Sequence, residues 1–304
     1  MTRRSVGIEG RGDIAGGFGR PLVSVLTPSF GQARWLADNL ASVRRQTYAL
    51  IEHVVMDGGS VDGSVELLES ESRPGLAWRS EPDRGQSHAL NKAFSASRGD
   101  IIGWLNSDDA YFGPTVVDDV VRFFAARPDV GVAYGHALLV SSDGLILQTL
   151  WAPPFSRSLL RLHDFIVQPA VFVRRSVLGV SFVDEAFDYA MDYELWLRLA
   201  GRTRFARLDR IVAIDRHHSL RKSYVLTSTG EADHRLLQKR YDVVPGRGGR
   251  ALRKAVKIAC RVAGIRLVRA AMHAPVVFTA RRDGSRRLSI RQVLFPRRWM
   301  DSGG

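Results

Sequence analysis

Two adjacent carboxylates, Asp108 and Asp109, end the segment "IIGWLNSDDA", which starts at Ile101 as an apolar run typical of a buried strand. Asn, Ser and Asp favour turns through local hydrogen bonds, so a surface turn is one reading. The other is a divalent cation that relieves the repulsion, since Mg²⁺ and Mn²⁺ take oxygen ligands and Mg²⁺ often binds one or two carboxylates plus substrate phosphates. A second stretch, "VVMDGGSVDGS", sets Asp57 among small residues that let a ligand approach the backbone. Its plainer reading is a strand-to-helix turn with Ser60 or Asp62 capping the next helix. The spacing is not that of a G-x-G-x-x-G dinucleotide loop.

In "AMDYELWLRL", Asp192 and Glu194 stand at i and i+2, so one helix cannot aim both the same way. One could serve as a general base while the other caps the helix or pairs with Arg198, four residues beyond Glu194. A solvated helix face is the alternative. His217 and His218 are readable as metal ligands, as phosphate contacts, or as a surface pair beside Arg216 and Arg221.

These residues need a scaffold, and the surrounding pattern supplies one. "LVSVLT" (22–27), "IEHVVM" (51–56), "LAWRSE" (76–81) and "DIIGWLN" (100–106) read as strands. Between them lie helical patterns, "QARWLADNLASVRRQ", "VELLESE" and "GQSHALNKAFSAS". Such alternation predicts βαβ units and a parallel sheet. Ligands of open α/β sheets sit beyond the carboxyl ends of the strands. Thr27, Asp57, Asp83 and the Asp108–Asp109 pair all fall there. From about residue 130 the pattern changes: "VGVAYG" and "LLVSSDGLILQTL" read as strands, the latter as a hairpin around Ser142-Asp143-Gly144. "QPAVFVRRSV" is a strand entering a turn, "AMDYELWLRLAG" a helix with glycine at its end, and "RFARLDRIVAIDRHH" a long strand.

The 304 residues carry 44 Lys and Arg against 31 Asp and Glu, a net charge of +13. From Pro245 onward fifteen basic residues face only Asp283 and Asp301, which accounts for the whole excess and leaves the upstream body near neutral. A nucleic-acid reader is expected to carry such charge on its folded face, so none is expected as a partner. Within 250–269, Arg250, Arg253, Lys254, Lys257 and Arg261 fall near one helical face and Leu252, Val256, Ala259 and Ala263 near another. Such a helix can lie on an anionic membrane surface or pack on its own domain. One cysteine, Cys260, rules out an internal disulfide framework and suits a reducing compartment. The Gly/Arg-rich residues 1–20 read as a flexible leader without a secretory apolar segment. No apolar run approaches the roughly 18 to 20 residues needed to span a bilayer. Pro245-Gly246-Arg247-Gly248-Gly249-Arg250 reads as a linker.

With these pieces in order, residues from about Pro21 to Tyr241 resemble a family 2 glycosyltransferase of the GT-A fold. The resemblance is carried by "VSVLTPSFGQARWLADNLASVRRQTY", "VVMDGGSVDGS", "EPDRGQSHALNKAFSASRGDIIGWLNSDDAYFGP" and "MDYELWLRL", in that order. It implies an α/β, mostly parallel sheet flanked by helices, with a Rossmann-like nucleotide-sugar half (21–130), an acceptor half (131–242) and a basic helical tail (243–304). It also implies inverting, non-processive transfer of a sugar from a nucleotide donor, expected to be a UDP-sugar, to an acceptor hydroxyl. By position, Thr27 and Pro28 would line the nucleotide pocket, Asp57 would bond the base, and Asp83 would lie beside base or ribose. Asp109 would hold Mg²⁺ or Mn²⁺ on the diphosphate, with Asp108 on ribose or a metal-bound water. His218, or failing it His217, would touch diphosphate or metal, and Asp192 would be the base. His88 stands where many relatives carry an acidic residue. No Gln-x-x-Arg-Trp motif is present, which points away from a processive synthase.

The tail adds the expectation of a glycan or lipid-linked acceptor in cell-envelope or polysaccharide biosynthesis. The protein would then be cytoplasmic, or peripheral at the inner face of the plasma membrane. The rival readings are a sugar nucleotidyltransferase, disfavoured because "TPSFGQARW" replaces its Gly-rich basic loop, and a non-catalytic adaptor acting through its basic tail on membrane or nucleic acid.

Overall fold

The computed structural model describes residues 19–142, 144–219, 221, 227–241, 243, 251–252 and 254–264. The leader up to residue 18, the turn residue Asp143, the 245–250 linker and the tail past 264 lie outside the described residues.

The first half follows the βαβ expectation. Strands β1 (Val23–Ser29), β2 (Ile51–Asp57), β3 (Leu76–Ser80) and β4 (Ile101–Trp104) alternate with helices α1 (Ala33–Arg44), α2 (Ser64–Ser70) and α3 (Gln86–Ala96). The four strands pair in parallel in the order β3-β2-β1-β4. Every residue of β1 is buried, as a strand covered on both faces requires. Leu26, Val54, Met56 and Trp104 pack with Ala89, Leu90 and Phe94 of α3. Val55, one residue out of phase, packs with Leu36 and Leu40 of α1 and Leu68 of α2. Each such leucine contributes about 1.5–3 kcal/mol on burial. The register aligns Ser29 with Asp57 and Asp57 with Ser80, so the three strands end at one rim.

The second half extends the sheet differently from the first. The hydrogen-bonded order continues from β4 through β8 (Val171–Arg174), β6 (Val130–Ser141) and β9 (Arg204–His217) to the short β5 (Ala110–Tyr111). β4 meets β8 and β8 meets β6 antiparallel, whereas β6 and β9 run parallel. β7 (Ile146–Leu150) forms the expected hairpin with β6. The parallel pairing of the nucleotide half therefore stops at β4. Helices α4 (Val116–Ala125), α5 (Arg157–Leu162) and α6 (Met191–Ala200) cover this part. The glycine after α6, Gly201, caps it in the right-handed region, without the left-handed turn that glycine usually provides there. Helix α7 (Thr227–Tyr241) returns to the body: Leu237 is buried in the same core as α3 and α6.

The described part of the tail, helical over 254–264, packs on the body. Gly264 lies so close to β7 that a Cβ there would come within 2.7 Å of the Thr149 carbonyl oxygen. Val256, Cys260 and Ala263 are half-buried, while Leu252 and Ile258 remain 55% exposed. One face of this segment thus packs on its own domain, and the other faces solvent.

The strand that leads to Asp108 is held tightly. A Cβ on Gly103 would meet the Tyr111 hydroxyl at 2.5 Å and the Phe172 ring at 2.9 Å. Neither ring has room to withdraw, since both are buried in one cluster and stacked at 5.5 Å. Gly103→Ala is expected to cost about 1–3 kcal/mol of stability. Urea denaturation should show a lowered midpoint; an unchanged midpoint would mean that β4 is not locked in this way.

Candidate active site

A cavity of about 1230 Å³ opens beyond the carboxyl ends of β1, β2 and β4. Pro28, Gly58, Asp83, Asp108 and Asp109 line the nucleotide-half wall, and Asp192 lines it from the first turn of α6. Five of the expected site residues, Pro28, Asp83, Asp108, Asp109 and Asp192, are thus brought to one space by elements far apart in sequence.

The Asp108–Asp109 loop is built from buried amides. Asn106 accepts from Gln86 Nε2 and Trp104 Nε1, both at 2.8 Å, and donates to Gln168 Oε1 at 2.8 Å and to Asp109 Oδ2 at 3.3 Å. Gln168 in turn donates to the Trp104 carbonyl at 2.7 Å. From the other side β9 clamps the loop. The Arg216 amide donates to Asp109 Oδ1 at 3.1 Å, and its guanidinium to the Asp108 carbonyl at 2.9 Å and to Asp38 at 3.1 Å.

A third carboxylate, Asp215, lines the cavity beside this pair and is bridged by Arg221 at 2.9 Å. Burial, then the charges of Asp108 and Asp215, push the Asp109 carboxyl well above the ordinary carboxylate range. Burial likewise raises Asp215. Burial alone would lower Arg221, but Asp215, Asp109 and Asp108 hold its pKa above the usual guanidinium value. With Arg216 paired to Asp38, Asp108, Asp109 and Asp215 outnumber the one guanidinium, Arg221, that shares the cavity with them.

Three expected residues take other places. Thr27 is fully buried behind the wall, donating to the Leu105 carbonyl at 2.8 Å and bonding His53 Nε2 at 2.9 Å. His53 is neutral, its pKa lowered to about 3 by burial and Arg73. Asp57 is 1% exposed and its oxygens are taken up by the turn: they accept from the Gly59 and Ser60 amides and the Ser60 and Ser80 hydroxyls at 2.6–3.1 Å. It shapes the turn that presents Gly58; Asp62, not Ser60, binds the first residue of α2. His218 stands behind Asp108, its Nε2 2.8 Å from Asp108 Oδ2 and its ring 3.9 Å from that of Trp35. Its buried Nδ1 has no partner among the described residues. His217 lies half-buried at the end of β9. His88 accepts from the Arg84 amide at 3.2 Å and is not among the lining residues.

The two acidic residues of α6 separate as their spacing requires. Glu194 is 1% exposed and bonds Arg198 at 3.1 Å and the Tyr241 hydroxyl at 2.6 Å. Asp192 faces the cavity. Its neighbour belongs to no recognisable motif: Asp164, after α5, lines the same cavity. Burial and then the Asp192 charge push the Asp164 carboxyl well above the ordinary range. Asp164 and Asp215 carried no motif; only the strand ending "AIDRHH" hinted at the latter.

Among the described residues no three His, Cys, Asp or Glu side chains form a group that could hold a metal ion unaided. Oxygen donors at Asp108 and Asp109 suit a hard cation that completes its shell from a bound ligand.

The family described as "Glycosyl transferase family 2" matches residues 24–177, half of the chain. The chain belongs to that family. This family 2 glycosyltransferase is 37% identical over 186 residues to the uncharacterized glycosyltransferase Rv1514c of Mycobacterium tuberculosis, covering 59% of the present chain and 69% of the relative. Its fold is similar to that of S. aureus TarS solved with UDP-GlcNAc, at a TM-score of 0.55 and 17% identity over 65% of this chain and 59% of that one. It is also similar to the mannosyltransferase PcManGT of Pyrobaculum calidifontis solved with GDP-Man and Mn²⁺, at a TM-score of 0.50 and 20% identity over 65% and 57% of the two chains. The chain spans less than two thirds of both solved structures. The GT-A likeness and the glycosyltransferase activity expected from the motifs hold, and the adaptor and nucleotidyltransferase readings fall away.

A carboxyl with a raised pKa binds protons more tightly in the folded state, so it supports stability below its unfolded pKa and loses that support as pH rises through its folded one. Asp164→Asn keeps the acceptor for the Ile166 amide (3.3 Å from Asp164 Oδ1) and removes the charge. Its melting temperature relative to wild type should therefore climb as pH rises above the ordinary carboxylate range of about 4. A difference that stays flat with pH would show that neither burial nor Asp192 raises the Asp164 carboxyl.

Proposed function

We propose that the cavity binds a nucleotide sugar with its diphosphate at Asp108 and Asp109 and an acceptor hydroxyl at Asp192, and that transfer proceeds with inversion. The observation that carries this reading is the charge imbalance: three buried carboxylates at the rim, Asp108, Asp109 and Asp215, against Arg221. A divalent cation bridging carboxylates and diphosphate would relieve it. The Asp109 proton affinity, raised by burial and by like charge, is what such a site has when no cation balances it. The oxygen-only donor set suits Mg²⁺ or Mn²⁺, and the solved PcManGT complex, which holds GDP-Man and Mn²⁺, supports the same choice. That TarS was solved with UDP-GlcNAc supports a UDP-sugar as donor.

The residues of the chain then divide the work. Pro28, Gly58 and Asp83 form the wall for base and ribose. Asp109 and Asp108 would hold the cation, which would supply positive charge against that developing on the leaving diphosphate. Arg221, kept charged by its carboxylate neighbours, faces the same space and adds a fixed positive group. Asp192 accepts the acceptor hydroxyl proton as that oxygen attacks the anomeric carbon on the face opposite the diphosphate. The carbon–oxygen bond to the diphosphate breaks and its electron pair leaves with the nucleotide. One base and no covalent nucleophile suffice for inversion.

Residues 21–130 form the donor half in this reading and 131–242 the acceptor half, with the basic segment from 243 onward docking at an anionic surface. The absence among the described residues of any helix long and apolar enough to cross a membrane is compatible with such peripheral attachment. A cell-envelope glycan or lipid-linked saccharide is the corresponding acceptor class.

Asp109→Ala should abolish the Mn²⁺-dependent part of UDP or GDP binding in titration calorimetry; wild-type affinity with Mn²⁺ present would remove Asp109 from the cation site. Asp192→Asn should bind the same nucleotide normally and lose about 10²- to 10⁴-fold in transfer rate. Wild-type turnover in that variant would assign the base elsewhere.

A further inference from the structure

Beside the main cavity lies an annex of about 350 Å³, between β7, the loop after α5 and the 254–264 helix. The two spaces share His163, Asp164 and Lys257, so the annex opens next to the Asp164–Asp192 carboxylates. One side of its wall is apolar, formed by Leu150, Trp151, Phe165 and Ile166. Lys257 and Arg261, one helical turn apart on the tail helix, supply its cations. Neither forms an ion pair with a described residue: Arg207 is the cation that lies over Trp151, at 5.1 Å, and it pairs with Asp209 at 3.3 Å. The annex has one carboxyl, Asp164, and burial together with Asp192 holds that group toward its neutral form. Two exposed cations without an ion-pair partner among the described residues thus stand at the mouth of a cleft with an apolar inner wall.

We propose that the annex is a subsite for an amphiphilic phosphate ester, the phosphate seated between Lys257 and Arg261 and the apolar chain lying against Trp151 and Ile166. This deepens the functional reading and rests on it in one respect: it makes the amphiphile the part of the acceptor that trails from the hydroxyl at Asp192. Size agrees, since ligand pockets begin near about 300 Å³. Chemistry disfavours a neutral saccharide, which needs several amide or hydroxyl side chains, because the annex wall offers Gln148 as its only side-chain amide and no hydroxyl. A simple anion would leave the aromatic and aliphatic wall unused. The tail helix also bears Leu252, Ile258 and Val262 at 49–55% exposure, and apolar side chains flanked by lysine and arginine are what a surface adjoining anionic lipid carries. The basic segment is then part of the acceptor site as well as an electrostatic anchor.

Farnesyl phosphate, farnesol and inorganic phosphate, each below any aggregation threshold, separate the sources of binding in titration calorimetry on the full chain. Farnesyl phosphate is expected to bind at least tenfold more tightly than either of the others and to stay bound when UDP and Mn²⁺ are saturating. Lys257→Gln/Arg261→Gln should weaken it about tenfold or more, Arg261→Gln alone should weaken it while leaving UDP affinity unchanged, and the swap Lys257→Arg/Arg261→Lys should retain it. Equal affinity for farnesol or for phosphate overturns the assignment, as does displacement by UDP or wild-type affinity in the glutamine variant. A failed Asp192 reading would show itself separately, as undiminished transfer by Asp192→Asn with farnesyl phosphate still bound.

Discussion

Repulsion among carboxylates withdrawn from water governs this molecule. Asp108, Asp109 and Asp215 are each less than a tenth exposed, and each charge raises the proton affinity of its neighbours. An arrangement of that kind collapses or protonates unless it is held from outside. Here the holding groups are neutral amides and two arginines: Asn106 and Gln168 beneath the loop, Arg216 across it, Arg221 over Asp215. The fold spends these contacts on keeping negative charge together, and the unmet charge is what a cation at the rim would offset.

That constraint explains why the sheet changes character after β4. A parallel sheet alone brings one set of loops to the rim. The antiparallel insertion of β8, and the run of β9 alongside β6 and against β5, deliver Asp215 and Arg216 to a loop 107 residues earlier in the chain. The same half carries α6, which turns Asp192 toward the space while Glu194 is absorbed by Arg198 and Tyr241. Donor and acceptor chemistry thus meet because one continuous sheet supports both walls.

The tail shows a different division. Its charge was evident from composition alone, yet charge could not say which face would pack. Tertiary contact with Thr149 turned Val256, Cys260 and Ala263 inward, which left Lys257 and Arg261 at a cavity edge and Leu252, Ile258 and Val262 outward.

The strands and helices of the first half could be read from the chain because hydrophobic period and turn residues are local properties. The position of Asp108 and Asp109 at the rim could be read as well, because they directly follow the fourth strand, although the pair alone reads equally as a turn. Asp192 and Glu194 were separable by spacing alone, as two residues apart on a helix diverge. Other assignments needed three dimensions. Thr27 and Asp57 sit at the right strand ends, but only the structure shows their polar atoms consumed by His53, Leu105 and the Gly59–Ser60 turn. His218 was visible as a possible ligand, yet its partner is Asp108. Asp164 and Asp215 were silent in the sequence because their significance lies in what approaches them from distant segments. Local pattern fixes where a side chain begins; burial and the company of charges from elsewhere in the chain decide what it can do.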